Sequence, residues 1–176
     1  TFKALVEAVA GHESSVMFSD IGCYRLGALP PYNAVSSCVD MGASITMGLG
    51  ASKAGVHPVV CTIGDSTFVH SGMTGLIGAV HADANLTVIV LDNGTIGMTG
   101  GQEIMATGDD LVRIIRGLGV KEEHLHVVRP VAKDHAKNVE LLKKEINHRG
   151  LSVIVACRPC IQTTRKTVQD AAPKKQ

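Results

Sequence analysis

The sequence predicts an α/β fold: a three-layer, doubly wound, mostly parallel sheet of five or six strands with helices on both faces. Two short apolar runs, residues 59–63 and 87–91, are typical of strands buried within a sheet. Between them, residues 67–84 carry apolar side chains at helical spacing. A strand, helix and strand joined in this order form a right-handed crossover, which places the two strands in parallel.

The beginning of the chain predicts a helix, a strand and a loop. Residues 2–11 have helical spacing and end at Gly11, a residue suited to a helix C-terminus. Residues 16–19 predict a short buried strand, and residues 20–23 form the turn at its carboxyl end. Residues 29–32, Leu-Pro-Pro-Tyr, predict an ordered loop because proline is excluded from helix interiors and central strands.

Two helices of the predicted domain are rich in glycine. Residues 41–55 predict an almost uncharged helix whose small side chains allow close packing against a neighbouring element or a cofactor. In the helix of residues 67–84, glycine recurs at every third position. This repeat lies inside the helix rather than in the turn before it, which favours helix packing over a dinucleotide-binding loop. The glycines are Gly72, Gly75 and Gly78.

The second half predicts a loop and three further elements. Residues 94–108 are rich in glycine and threonine and long for a connection, which is typical of a binding loop or lid. Asp109 or Asp110 is predicted to cap a helix that runs through Arg116. Residues 124–128 predict a further strand.

The last elements are a surface helix and a strand. Asp134 is predicted to cap the helix, with Arg149 in its last turn and Gly150 as its stop. Residues 151–156 predict the last strand. The domain is therefore expected to span residues 1–162, and residues 163–176 to form a polar, disordered tail. No second domain is expected.

Composition excludes several classes of function. The 176 residues carry a formal net charge of +1 and only 3% aromatic residues, which argues against a nucleic-acid partner. Apolar runs are too short to span a bilayer and the beginning lacks the features of a signal peptide, so no membrane is expected and the predicted location is cytoplasmic. A start at Thr1 rather than Met indicates a fragment or a trimmed product.

The five cysteines do not form a disulfide framework in a chain of this size, and their odd number fits a reducing compartment. Cys157 and Cys160 form a C-x-x-C pair, but a lone pair cannot complete a four-ligand zinc or iron–sulfur site. The pair is interpreted as a strand-end cysteine followed by a tail cysteine.

Polar residues follow the two buried strands where each strand ends. Asp65 follows the first strand and Asn93 the second, and open α/β sheets bind ligands at this edge. A carboxylate, an amide and nearby backbone carbonyls form an oxygen site suited to Mg²⁺. The alternative is that both residues serve only as turn and cap residues.

The spacing of these turns resembles a known cofactor motif. Gly64-Asp65-Ser66, followed about 25 residues later by Asp92-Asn93, resembles the thiamine diphosphate motif, Gly-Asp-Gly then Asn-Asn. Serine and aspartate replace one glycine and one asparagine, but both presumed ligand side chains remain. Over roughly residues 16–105 the chain resembles the thiamine-binding domain of the indolepyruvate ferredoxin oxidoreductase large subunit, a 2-oxoacid oxidoreductase. The matching blocks are residues 20–24, 26–32, 41–45, 64–68 with 70–72, and 91–93 with 98–102.

The resemblance implies a set of site residues. Metal ligands would be Asp65, Asn93 and the Thr95 carbonyl, while Thr99, Gly100 and Gln102 would lie towards the substrate. Thiamine diphosphate would contact Gly22, Cys23, Met41, Gly42, Ala43, Gly64, Asp65, Ser66, Thr67, Asn93, Thr95, Ile96 and Gly97. Gly64, Ser66 and Thr67 would offer N–H groups to the diphosphate.

His70, Cys23 and Met41 each have an alternative interpretation. His70 is a candidate catalytic proton shuttle, because histidine titrates near neutrality, but a structural hydrogen bond would also explain it. Cys23 could be a small buried packing residue, and Met41 a core methionine.

The function implied is oxidative decarboxylation of a 2-oxoacid, such as the arylpyruvate indolepyruvate, with thiamine diphosphate and Mg²⁺ as cofactors. A separate pyrimidine-binding domain or subunit would supply the activating glutamate, ferredoxin would accept electrons, and iron–sulfur clusters would lie outside this chain. We therefore expect a homo- or hetero-oligomer and an inactive isolated chain. The alternatives are a non-oxidative decarboxylase or acetolactate synthase-like enzyme, and a non-catalytic regulatory or dimerisation module.

Overall fold

The computed structural model describes residues 1–163. The strands are β1 Val16–Ser19, β2 Ser37–Cys38, β3 Val59–Gly64, β4 Leu86–Asp92, β5 Leu125–Val128 and β6 Leu151–Cys157. These six strands form one sheet in the order β2-β1-β3-β4-β6-β5, and every neighbouring pair runs parallel. The predicted parallel sheet is therefore confirmed.

Helices cover both faces of this sheet, as a doubly wound fold requires. The α-helices are α1 Phe2–Val9, α2 Ala43–Lys53, α3 Asp65–Thr67, α4 Met73–His81, α5 Gly108–Gly117 and α6 His135–Asn147. One face of the sheet packs against α2, α4 and α5, and the other against α1 and α6. No helix in residues 1–163 is long and apolar enough to cross a membrane.

The central strand β4 shows why its sequence is a continuous apolar run. Val88 and Val90 belong to the core under α2, α4 and α5, whereas Ile89 belongs to the core under α1 and α6. All three are completely buried. A strand covered on both faces has no polar side to alternate with its apolar side.

The first glycine-rich helix, α2, is shorter than the predicted helix of residues 41–55. It begins at Ala43, so Met41 and Gly42 precede it. Gly42 has a left-handed φ of +92°, and a Cβ atom there would lie 2.6 Å from the Ser71 hydroxyl. The chain can therefore enter α2 at this angle only through a glycine.

The predicted continuous helix of residues 67–84 is interrupted. A π-helical turn, Phe68–Gly72, separates α3 from α4, which ends at His81. The turn brings Phe68 into the core and sets Gly72 against Ile63, whose Cδ1 would lie 2.6 Å from a Cβ atom. A Cβ atom on Gly75 would likewise lie 3.2 Å from Ile45 Cβ of α2. Close packing is thus confirmed as the role of Gly72 and Gly75, whereas a Cβ atom on Gly78 would make only an ordinary contact, 3.8 Å from Leu49 Cδ2.

Predicted helix ends in the second half were partly wrong. Asp109 and Asp110 lie inside the first turn of α5, after its first residue, and therefore do not cap it. The N–H of its first residue, Gly108, donates to Asp92 Oδ2. Asp134 precedes α6 but makes no capping bond with its side chain. The helix ends at Asn147, before Arg149 and Gly150.

His148 explains the early end of α6. Its backbone is extended, with ψ at 136°, and its ring stacks on His124 with the ring centroids 3.7 Å apart. At the far end, Thr163 lies in a helical turn and donates a hydrogen bond to the Cys160 carbonyl. It therefore belongs to the described fold. The remaining residues of the predicted tail, 164–176, lie outside the described residues.

Candidate functional site

The Asp65 carboxylate joins the two predicted turns. Strands β3 and β4 are neighbours, with Gly64 opposite Leu91, so the residues after them meet at the carboxyl edge of the sheet. Asp65 Oδ2 accepts the N–H groups of Asn93 and Gly94, both at 2.9 Å. The predicted juxtaposition of the Asp65 and Asn93 turns is confirmed.

The Asp65 carboxyl group is almost completely buried, and its surroundings offset only part of the cost of ionising it. The residue is 2% exposed. Burial raises its pKa, while the N–H groups of Ser66, Asn93 and Gly94 act in the opposite direction. Ser66 donates to Oδ1 at 2.7 Å, so this N–H holds the carboxylate rather than pointing to a ligand. A cation at this carboxylate would offset the remaining cost of burying its charge.

The side chain of Asn93 also has a structural task. Its Oδ1 accepts the Thr95 N–H at 2.9 Å, which closes the turn that the alternative interpretation expected. An amide oxygen has two lone pairs, so this bond leaves one acceptor position. Within residues 1–163, no group of three or more His, Cys, Asp or Glu side chains is arranged to hold a metal. The candidate ligands are instead one carboxylate, one amide and one backbone carbonyl.

A cavity of about 200 Å³ lies beside Asp65 and brings together most of the predicted site. Its wall comes from the turn after β1, from the turn between β3 and α3, and from the loop after β4. Predicted residues that line it are Gly22, Cys23, Met41, Gly64, Asp65, Ser66, Thr67, Asn93, Thr95, Ile96, Gly97 and Thr99. Gly42, Ala43, His70, Gly100 and Gln102 do not line it.

Exposure decides between some of the alternatives. Cys23 is exposed and Met41 is 41% exposed, so neither is the buried packing residue that the alternative interpretation described. Both side chains lie at the rim of the cavity. His70 points outward from the π-helical turn, is exposed, and makes no hydrogen bond to another residue of the described chain. Its structural hydrogen bond is not found there, and its proton-shuttle role stays a prediction.

Tyr24 was not among the predicted site residues, although its ring forms part of the cavity wall. The hydroxyl donates to the Ile21 carbonyl at 3.0 Å, and burial raises the pKa of Tyr24 to about 12. Ile21 and Met98 are the other unpredicted lining residues. The sequence held one signal for Tyr24: an aromatic residue two positions after a glycine in a chain with few aromatics.

The loop after β4 closes one side of the cavity. Ile96 pairs with Gln102 in an isolated antiparallel bridge, and the Thr95 hydroxyl donates to the Gln102 carbonyl at 3.0 Å. The Thr99 hydroxyl also donates to Gln102 Oε1 at 2.7 Å. The predicted binding loop is therefore ordered by its own contacts.

The C-x-x-C pair lies next to this loop. Cys157 is the last residue of β6, as interpreted from the sequence, and its thiol donates to Asp92 Oδ2 at 3.5 Å. The Cys160 N–H donates to the Asn93 carbonyl at 3.2 Å. The end of β6 thus supports the turn that holds Asn93.

Comparisons with known proteins identify the family to which the chain belongs. The family described as "Thiamine pyrophosphate enzyme, C-terminal TPP binding domain" matches residues 20–156. The chain is 38% identical over 170 residues to the indolepyruvate oxidoreductase subunit IorA of Archaeoglobus fulgidus, which covers 91% of this chain and 27% of that protein. The chain therefore spans about a quarter of the length of this relative.

Two further proteins are similar over a shorter region or at a lower sequence identity. Phosphonopyruvate decarboxylase of Streptomyces viridochromogenes is 38% identical over 85 residues, which is 48% of this chain and 21% of the decarboxylase. The structure of 2-oxoglutarate:ferredoxin oxidoreductase from Magnetococcus marinus superposes with a TM-score of 0.73 at 18% identity. It covers 90% of this chain and 62% of that one, and shows the shared fold. With the family match across residues 20–156, the chain belongs to the family of C-terminal TPP-binding domains of thiamine pyrophosphate enzymes.

Proposed function

We propose that this chain binds thiamine diphosphate through Mg²⁺ and is the cofactor domain of a 2-oxoacid oxidoreductase that acts on an arylpyruvate such as indolepyruvate. The observation that carries the proposal is the meeting of Asp65 with the Asn93 turn at the rim of one cavity. The resemblance to IorA over 91% of the chain supports the substrate class.

In this proposal, Mg²⁺ would be held by Asp65 Oδ1, Asn93 Oδ1 and the Thr95 carbonyl, because Asp65 Oδ2 already accepts two N–H groups. These are hard oxygen ligands, which Mg²⁺ prefers, and phosphate oxygens and water would complete its octahedral shell. Only one ligand side chain can carry a charge, so most of the charge that balances the cation would have to come from the diphosphate. Metal and diphosphate should therefore bind together.

The remaining cavity residues position the cofactor. Gly64 and Thr67 lie at the start of the helical stretch and are the candidate diphosphate contacts, since the Ser66 N–H already holds Asp65. Met41, Ile96 and Met98 offer apolar surface to the rings. When bound, thiamine diphosphate supplies the carbanion and the electron sink that decarboxylation of a 2-oxoacid requires. Thr99, Gly100 and Gln102 would face the substrate.

A partner domain is part of this proposal. The activating glutamate would come from a pyrimidine-binding domain or subunit, and electrons would pass to ferredoxin through iron–sulfur clusters outside this chain. Two large apolar side chains of the loop of residues 94–107 are exposed, which supports a covering partner: Met98, in the cavity wall, at 63% and Met105 at 80%. We expect the isolated chain to be inactive and the active enzyme to be an oligomer.

The test is calorimetric titration of thiamine diphosphate into the chain, with Mg²⁺ and with a chelator, for the wild type and Asp65→Asn. The variant removes the ligand charge with little change of shape. Asp109→Asn, an exposed aspartate of α5, is the matched control. We expect Mg²⁺-dependent binding that Asp65→Asn weakens by more than about 10-fold. Absence of binding in the chain assembled with its co-purifying subunits would refute the proposal.

A second candidate is a non-oxidative thiamine enzyme, favoured by the similarity to phosphonopyruvate decarboxylase over 85 residues. Both candidates share the cofactor site, so the binding experiment does not separate them. Turnover of an arylpyruvate by the assembled enzyme does: reduction of an added ferredoxin supports the oxidoreductase, whereas release of an aldehyde without electron transfer supports the decarboxylase.

A further inference from the structure

A second buried carboxylate, Asp92, lies beside the site but is not among its proposed ligands. It is the last residue of β4 and is 5% exposed. Asp92 Oδ1 accepts the Thr107 hydroxyl at 2.5 Å and the Gly94 N–H at 3.2 Å. Asp92 Oδ2 accepts the Gly108 N–H at 2.8 Å.

These donors lie at the two ends of one loop. Gly94 is at its beginning, whereas Thr107 and Gly108 lead from it into α5. The Asp92 carboxylate therefore bridges the two ends of the loop of residues 94–107. We call this junction of Gly94, Thr107 and Gly108 at Asp92 the neck of the loop. The same loop supplies the following residues to the cavity wall: Thr95, Ile96, Gly97, Met98 and Thr99.

Asp92 at the neck also forms hydrogen bonds with the end of β6, the neighbour of β4 in the sheet. The Cys157 thiol donates to Asp92 Oδ2, and the Arg158 N–H donates to the Asp92 backbone carbonyl at 2.8 Å. Burial, together with the charge of Asp92, raises the pKa of Cys157 to about 12. The sulfur thus keeps its proton and acts as a donor.

The Gly94 N–H links Asp92 to the proposed metal ligand. This single donor lies 2.9 Å from Asp65 Oδ2 and 3.2 Å from Asp92 Oδ1. Its direction is therefore set by both carboxylates. We propose that Asp92 is a positioning residue that holds the loop of residues 94–107 closed at its neck and thereby sets the affinity of the site for Mg²⁺ and thiamine diphosphate. The affinity part of this inference rests on the proposed function.

An aspartate suits this position better than the asparagine of the general motif. Both oxygens of the Asp92 carboxylate accept hydrogen bonds, and three of the donors are N–H or O–H groups. An asparagine has only one acceptor oxygen, and its NH₂ group would face a donor. Asp92→Asn therefore leaves at least one of these donors without an acceptor and weakens the neck.

The test compares the full chain with Asp92→Asn by two measurements. Amide hydrogen exchange without ligand reports the loop directly, and titration of thiamine diphosphate with Mg²⁺ reports the affinity. We expect amides of residues 94–108 to exchange about 10-fold faster in the variant, while the strand amides of β3 and β4 stay unchanged. The dissociation constant should rise by about 10-fold.

Matched variants separate positioning from a general loss of stability. Thr107→Val removes one donor at the neck and should shift exchange and affinity in the same direction, whereas Thr107→Ser keeps the hydroxyl and should restore both. Asp109→Asn removes an exposed charge one residue after Gly108 and should change neither.

Two results would overturn the inference. One is that Asp92→Asn shows the same amide exchange rates and the same affinity for thiamine diphosphate as the wild type. The other is faster exchange spread over the whole sheet, because this means that Asp92 stabilises the domain in general. If the wild-type chain binds no thiamine diphosphate even in its assembled complex, the proposed function fails, and the exchange comparison still decides whether Asp92 holds the loop.

Discussion

The ring of Tyr24 fills the space that a side chain on Gly64 would need. An ideal Cβ atom at Gly64 would lie 2.7 Å from Tyr24 Cε1. Gly64 has φ −82° and ψ 157°, an extended conformation that any residue adopts. The first glycine of the cofactor motif is therefore required by its neighbour and not by its backbone angles.

Gly64→Ala should destabilise the chain and narrow the cavity. The added methyl group must displace the Tyr24 ring, and overpacking of this kind costs about 1–3 kcal/mol in the free energy of unfolding. Urea unfolding followed by circular dichroism measures the change. The control is Gly50→Ala, because Gly50 lies in α2 with no atom within 4 Å of its Cβ position. That substitution should stabilise the helix by up to about 1 kcal/mol. Equal stability of both variants would contradict this account.

A double substitution should show compensation between Gly48 and Cys61. A Cβ atom on Gly48 would lie 2.3 Å from Cys61 Sγ, which is completely buried. Gly48→Ala alone should cost about 1–3 kcal/mol. When Cys61→Ala removes the sulfur, the same change at Gly48 should cost much less. A double-mutant cycle from urea unfolding measures the coupling, and purely additive effects would show that the sulfur does not limit this position.

Glu145 should stabilise the fold in a pH-dependent manner. Burial acts to raise its pKa, but hydrogen bonds from His124, Ser152 and His126 hold the pKa below its ordinary value. A carboxyl group with a lowered pKa contributes stability above its unfolded pKa of about 4.3, and this contribution disappears as the pH falls through the folded pKa.

Glu145→Gln should therefore cost about 1–3 kcal/mol near neutral pH, because Gln presents an NH₂ group where an oxygen accepted. The difference from the wild type should shrink when the pH is lowered below about 4. Urea unfolding at several pH values measures it. Glu140→Gln, an exposed position on α6, should show neither effect. A difference in the free energy of unfolding that does not change with pH would argue against an ionised Glu145 among these hydrogen bonds.

Asp20 should show the opposite dependence on pH. Its carboxylate is completely buried and accepts the Ser44 N–H at 2.7 Å, and burial raises its pKa. A carboxyl group with a raised pKa favours the folded state most below its unfolded pKa of about 3.9, and this advantage is lost as the pH rises through the folded pKa. The wild type should therefore lose stability relative to Asp20→Asn as the pH rises from about 4 to 7.

The same unfolding series measures this prediction, with Asp109→Asn as the exposed control. Asp20→Asn keeps an oxygen for the Ser44 N–H, so the variant should fold. Asp20→Ala removes that acceptor and should cost about 1–3 kcal/mol at every pH. A wild type that gains stability relative to Asp20→Asn with rising pH would contradict the assigned direction.

Periodicity predicted most of the fold because it reflects burial on a strand or helix face. The strands of residues 59–63 and 87–91 lie within β3 and β4, and the strand of residues 16–19 matches β1. Helix ends were predicted less well because their caps come from distant residues. Asp92 of β4 supplies the acceptor at the start of α5, and stacking on His124 accompanies the end of α6.

The sequence by itself determined the parallel sheet and the meeting of Asp65 with the Asn93 turn. Both follow from local order, because a strand followed by a helix and a strand returns to the same edge. Only the tertiary structure decided that Tyr24 forms part of the cavity wall and that the His70 side chain points outward. The same holds for the hydrogen bonds by which Asp92 joins the two ends of the loop of residues 94–107. These roles depend on distances between residues far apart in the chain, and side-chain periodicity carries no information about such distances.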